Sequence, residues 1–204
     1  MMQTGHEPGG GLVYPSLGAI VSRFKGYDGG YKGQIPPYVV LTESQGRFSE
    51  EGFLGPGYKP FVTGGDPAKS VFAVEGLVAE GVDEAGLAER RALLASLDSM
   101  GKAESTNPAI AEARVAGDEA WSLITGKAKE VFNLSLETDD TRDRYGRNSF
   151  GQSCLVARRL VEAGVPYVTI NYKGWDTHKN HFSILDAKSG EFEAGLSALI
   201  LDLE

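Results

Sequence analysis

The sequence predicts an α/β fold in which helices cover a largely parallel sheet. Three observations lead there. Residues 165–172, VPYVTINY, are a near-continuous apolar run lying between two helix-patterned segments. A second β-branched run, PYVVLT at 37–42, has the same buried-strand character. The chain has 204 residues, 41% hydrophobic and 24% charged, enough to bury one sizeable core without disulfides or a structural metal.

The elements follow in chain order. Residues 1–14 are Gly-rich and loop-like. YPSLGAIVSRF places Leu17, Ile20, Val21 and Phe24 on one helical face, with Pro15 suited to a first turn and Ser16 near the cap. GYDGGYKGQIPP is a turn-rich linker feeding the strand at 37–42. Residues 43–82 show little regular pattern and read as an irregular covering segment, pinned by Phe48, Phe53, Tyr58, Phe61 and Phe72. DEAGLAERRALLASLDSMG reads as a helix capped by Asp83 and Gly101, and a second helix starts at Thr106 or Asn107 with Pro108 in its first turn and runs to about Ala128. KEVFNLSLETDDTRDRYGRNS reads as a loop rich in both charge signs. Ser149 is the expected cap of a helix that ends at Gly164. After the strand at 165–172 and the loop KGWDTHKNH, a last helix starts near Asn180 or His181, with an interruption expected around Ser189–Gly190. The whole, 1–204, reads as one domain.

The net charge of −8 opposes binding to nucleic acid or anionic membranes. No apolar run is long enough to span a bilayer, and the first residues lack a signal-peptide pattern. The single cysteine, Cys154, lies in an amphipathic helix pattern and reads as a buried thiol. Cysteine scarcity fits cytoplasm and periplasm alike, so export of the parent protein stays compatible with the composition. The last segment, FEAGLSALILDLE, stops without a cap, and the expectation is a partial domain from a longer protein.

The loop KGWDTHKNH holds Asp176, His178 and His181, two of the three histidines of the chain among them. It follows a strand's carboxyl end, where open α/β sheets bind ligands. Carboxylate plus imidazole suits Zn²⁺ or another divalent ion. Asp176 and His178, two residues apart in an extended loop, can point to one side, while His181 falls on the first helical turn. The alternative is a solvated loop in which Asp176 caps a turn. GHEPGGG, with His6 and Glu7, lacks P-loop spacing and no strand precedes it. Arg142, Arg144 and Arg147 surround Tyr145, but Glu137, Asp139, Asp140 and Asp143 neutralise them. Of Arg158 and Arg159, one is expected to pair with Glu162 and the other to face solvent.

The blocks YPSLGAIVS, IPPYVVL, GFLGPGYKPF, ERRALLASLD, YGRNSFGQSCLVARRLVEAGVPYVTI and GWDTHKNHF resemble a bacterial family of uncharacterised sulfatase-like proteins placed in the alkaline phosphatase superfamily. The resemblance runs from about residue 3 to the last residue. It implies a three-layer α/β/α sandwich of alkaline-phosphatase-like type, incomplete in this chain. It also implies a metal-dependent hydrolase of small-molecule or polysaccharide sulfate or phosphate esters. Asp176 and His178 would be ligands of a divalent metal (Zn, Mn or Ca), with His181 less constrained. The family's nucleophile region and further ligand segments have no counterpart in these residues, and Cys154, followed by LVARR, does not fit a formylglycine motif. The expectation is therefore a fragment inactive by itself and prone to self-association through open sheet edges. The rival reading is a non-catalytic binding or structural module on the same fold.

Overall fold

The computed structural model describes residues 4–7, 11–69 and 128–204, together with Gly86, Glu89, Ala92 and Leu93. Of the two helices expected between 83 and 128, only Gly86, Glu89, Ala92 and Leu93 are described before Ala128, all four helical; the rest lies outside the described residues. Among those described, the fold is mixed α/β: a three-stranded parallel sheet and five α-helices. The strands are β1 (Tyr38–Leu41), β2 (Phe61–Val62) and β3 (Tyr167–Ile170), in the order β2-β1-β3. The helices are α1 (Leu17–Val21), α2 (Ala128–Val131), α3 (Asp139–Tyr145), α4 (Ser149–Glu162) and α5 (His181–Leu203).

β1 is the fully buried centre of the sheet. It pairs with β2 through Val39–Phe61 and Val40–Val62, and with β3 from Tyr38–Tyr167 to Leu41–Ile170. Its alternate side chains serve two faces. Val39 and Leu41 enter the main core with Cys154, Leu155, Leu160, Tyr145 and Phe150. Tyr38 points the other way, against α1, where a Cβ on Gly18 would stand 2.3 Å from its ring. Helix α1 therefore covers one face of the sheet and α4 the other. Gly18 and Ala19 are buried while Leu17, Ile20 and Phe24 are exposed. This corrects the apolar face expected for α1: the bulk of the Tyr38 ring selects the small residues as the contact. Ser16 does cap α1, accepting from the Ala19 N–H at 3.2 Å.

β3 is half-buried throughout, against the expectation of a buried strand at 165–172. It has a strand partner on one side only, and no further strand among the described residues covers its other edge. β2 corrects the reading of 43–82 as without regular structure, since Phe61–Val62 extends the sheet beyond β1. Short 3₁₀ turns at 46–48, 52–54 and 56–58 lead up to it.

The expected charged loop at 129–149 contains α2 and α3. Thr138 caps α3 by accepting from the Thr141 N–H at 3.2 Å, with Asp139 and Asp140 in the first turn and Arg142 and Arg144 in the last. That charge order complements the helix dipole, which an apolar periodicity search overlooks. Helix α4 is capped by Asn148, whose Oδ1 accepts from the Gly151 N–H at 2.8 Å, so Ser149 is its first residue and not its cap. Its residues from Phe150 to Ala157 are all buried. A Cβ on Gly151 would meet the Tyr145 carbonyl at 1.9 Å, and one on Gly195 would meet the Gly151 Cα at 3.1 Å. Glycine at both positions lets α3, α4 and α5 approach closely. Helix α5 runs unbroken through Ser189–Gly190. Among the described residues no helix is long and apolar enough to cross a membrane.

Buried charge locks the same three helices. Asp202 on α5 receives Arg144 through two bonds of 2.6 and 2.9 Å, Arg158 Nη1 at 2.9 Å and the Tyr145 hydroxyl at 2.9 Å. Glu137 receives Arg158 at 2.6 Å and Arg159 at 2.5 Å. Both arginines are thus paired, where one was expected in solvent. Arg147 binds Asp139 and Asp143, and Arg142 donates to the buried Gln152 side chain at 2.8 Å, so the basic cluster around Tyr145 is internally neutralised. Hydrogen bonds led by Arg144 hold the Asp202 carboxyl well below the usual carboxylate range. Burial would raise the Glu137 carboxyl, but hydrogen bonds from Arg159 and Arg158 outweigh it and lower it.

Candidate functional site

The carboxyl ends of all three parallel strands open on one edge of the sheet, where ligands of open α/β sheets bind. After β1 the chain turns sharply at Thr42, whose φ is +69°. A β-branched residue in the left-handed region is a steric outlier. The turn is held because the Thr42 N–H donates to Thr63 Oγ1 at 2.9 Å, and Thr63 is fully buried, its own N–H donating to the Val40 carbonyl at 3.0 Å. Thr63 directly follows β2 and precedes Gly64 and Gly65, both left-handed, at φ +61° and +63°.

The loop leaving β3 is tied to the loop leaving β1. Asn171 Nδ2 donates to the Glu43 carbonyl at 3.1 Å, and its Oδ1 accepts from Gln45 Nε2 at 3.0 Å. The Lys173 ammonium pairs with the Glu43 carboxylate. Beyond Lys173 the loop leans on α5. The Tyr172 hydroxyl donates to Glu191 Oε2 at 2.5 Å, and Lys188 Nζ donates to the Lys173 carbonyl at 2.7 Å. The same ammonium sits 4.2 Å from the centroid of Tyr172 and 5.8 Å from that of Trp175, within cation–π range. Phe150, Tyr172, Trp175 and Phe192 form a closed aromatic cluster with centroids 4.5 to 6.1 Å apart, Trp175 meeting Tyr172 and Phe192 edge-to-face. Burial, followed by the bond to Glu191, pushes the Tyr172 phenol up. Gly174, at φ +86°, makes the turn beside Lys188.

On this pinned base Asp176 and His178 stand side by side, Oδ1 to Nδ1 3.7 Å, with side chains 93% and 81% exposed. His181 lies on the first turn of α5, where its Nδ1 and Thr177 Oγ1 are 2.5 Å apart. That contact leaves Nε2 as its open ring nitrogen. Asp176 and His178 are close enough to share an ion, while His181 is turned to Thr177 and is not gathered with them. Among the described residues no group of three or more His, Cys, Asp or Glu side chains is gathered as a metal-binding cluster. Cys154 is fully buried and its thiol is pushed up to about 12 by burial, which makes it inert at neutral pH. His6 stacks on Tyr14, with centroids 3.8 Å apart.

Thr42, Thr63, Gly64, Gly65, Asn171 and the Glu43–Lys173 pair all belong to this edge, and sequence reasoning assigned none of them. The available signal was FVTGG, a β-branched pair followed by two glycines, which resembles a strand leaving a sheet.

A family described as protein of unknown function (DUF1501) matches the chain over residues 1–204, and the chain belongs to that family. No curated protein and no solved structure matches it. The match corrects the resemblance drawn from the sequence blocks. The family covering the whole chain is one of unknown function, and nothing found links it to the sulfatases or to the alkaline phosphatase superfamily.

Proposed function

For this member of a family of unknown function, we propose that the loop after β3 binds a divalent cation through Asp176 and His178 and takes part in hydrolysing a phosphate or sulfate ester. The observation that carries the reading is the 3.7 Å approach of these two side chains at the open carboxyl end of a parallel strand. Carboxylate with imidazole is a donor set that fits Zn²⁺ or Mn²⁺; Ca²⁺ would rely on Asp176 oxygens alone. A bound divalent ion would supply charge stabilisation and an acidified water. The residues around it supply position: Gly174 sets the turn, while Tyr172, Trp175 and Lys188 hold the loop against α5. His181 is the third candidate ligand, through Nε2. In this reading the helices on the two faces of the sheet form an α/β/α sandwich that carries the site on its edge. The ester is a small-molecule or polysaccharide one, and the charge of −8 argues against nucleic acid.

A non-catalytic binding module is the second reading. It is favoured by the lack, among the described residues, of a cluster of three or more ligands, and by the burial of the Cys154 thiol.

Metal titration by calorimetry, with aryl phosphate and aryl sulfate turnover measured in parallel, tests both. The expected result is Zn²⁺ or Mn²⁺ binding that Asp176→Ala and His178→Ala each weaken at least tenfold. Equal uptake by wild type and both variants would sink the cation reading. Binding without turnover would select the non-catalytic module.

A further inference from the structure

A second feature of the same edge is independent of the cation. A cleft of about 370 Å³ opens between the loops leaving β1 and β2, lined by Thr42, Glu43, Ser44, Val62, Gly64 and Gly65. That volume lies in the range of small-molecule sites. We infer that this cleft binds a neutral, hydroxyl-rich small molecule of the sugar or polyol class.

The chemistry of the wall selects the ligand. Most small-molecule pockets are lined by apolar side chains. Here Val62 is the single hydrophobic side chain, and an apolar ligand would strip water from polar groups without replacing it. Two hydroxyls and a carboxylate come from three consecutive residues. The Thr42 and Ser44 hydroxyls can each donate one bond and accept two. The Glu43 carboxylate accepts only. Together they match neighbouring hydroxyl groups, which donate and accept from one carbon framework.

Charge excludes the other classes. The Lys173 ammonium is already paired with Glu43, so an anion held by it would have to displace that carboxylate, against a protein of charge −8. A cation would meet one carboxylate that is already neutralised. A neutral ligand leaves the pair intact and exchanges its own hydroxyls for water at Thr42 and Ser44.

The backbone is built for close approach. Gly64 and Gly65 carry no Cβ on their side of the cleft, and Gly64 forms an antiparallel bridge with Thr42. Opposite them, Thr42 is kept in its left-handed conformation by the buried Thr63 hydroxyl. Such strain persists where surroundings over-determine it and is concentrated at ligand-binding positions. Relaxing Thr42 would swing Glu43 and Ser44 out of register with the glycines.

Saturation-transfer NMR on the full chain with a panel of methyl glycosides and glycerol tests the inference. The expected result is transfer from at least one glycoside to wild type, reduced at least fivefold in Ser44→Ala and in Glu43→Gln. Both side chains are exposed, and circular dichroism would verify that the variants fold. Asp176→Ala should bind the glycoside like wild type, which separates this site from the cation loop. No transfer from any probe, or transfer unchanged in both variants, would overturn the inference. So would displacement of the glycoside by inorganic phosphate that Lys173→Ala abolishes, since the cleft would then be an anion site.

Discussion

The helical flank and the open edge of the sheet treat polar groups in opposite ways. Between α3, α4 and α5, Arg158, Arg159, Glu137 and Asp202 are largely withdrawn from water and bonded to one another, with the half-exposed Arg144 closing the network on Asp202. At the carboxyl edge, Asp176 and His178 are almost fully exposed, and Glu43 and Ser44 face solvent. A buried charge must be satisfied inside the protein or it destabilises the fold by several kcal/mol. A polar group held at an edge by a rigid base costs little and stays available to a ligand. The charge network between these helices is therefore scaffolding, and the exposed polar groups of the edge are the candidates for binding.

Substitutions can break that contrast. The largest expected effect is on the flank. Asp202→Asn leaves Arg144 and Arg158 without their shared carboxylate and is expected to cost about 3 kcal/mol in a denaturant titration. A loss below about 0.5 kcal/mol would make the network ornamental. The pH dependence has a definite sign. The folded Asp202 carboxyl lies below its unfolded value of about 3.9, so its contribution is complete above that pH and fades as pH falls further. Wild type should lose stability on acidification below about pH 4, and Asp202→Asn should lose less over the same range.

A middle effect is expected where the two regions meet. Thr63→Val keeps the buried shape but removes the acceptor for the Thr42 N–H. Leaving that donor unsatisfied should cost about 1–3 kcal/mol, and it should also disorder the 42–44 loop, seen as faster amide exchange there. Unchanged exchange would show that Thr42 holds its conformation without Thr63. The smallest effect on stability belongs to Asp176→Ala, expected within about 0.5 kcal/mol because the side chain is exposed. A loss above about 2 kcal/mol would place Asp176 in the scaffold and contradict the contrast itself.

The sequence was legible where a residue's role depends on its near neighbours. Ser16 as a helix cap, β1 as a buried strand, the burial of Cys154 and the start of α5 near His181 all follow from short-range patterns, and the structure bears them out. The position of Asp176 and His178 at a strand's carboxyl end was legible for the same reason. The rest depended on residues distant in the chain. Arg158 meets Glu137 and Asp202, 21 and 44 positions away, and no helical spacing announces such partners. Phe61–Val62 became a strand because β1 offered an unpaired edge, which a two-residue pattern cannot signal.

By itself, the sequence determined the α/β class, the Ser16 cap of α1 and the loop that carries the candidate cation ligands. Apolar runs, capping residues and glycines act through the few residues beside them. Only the tertiary structure decided that Gly18 and Ala19, not the larger apolar residues, face the sheet, that Glu137 and Arg144 of the charged stretch bond to α4 and α5, and that Thr42 and Ser44 line one cleft with two glycines. Those outcomes depend on which surfaces meet when the chain closes, and on the cost of burying any polar group that finds no partner there.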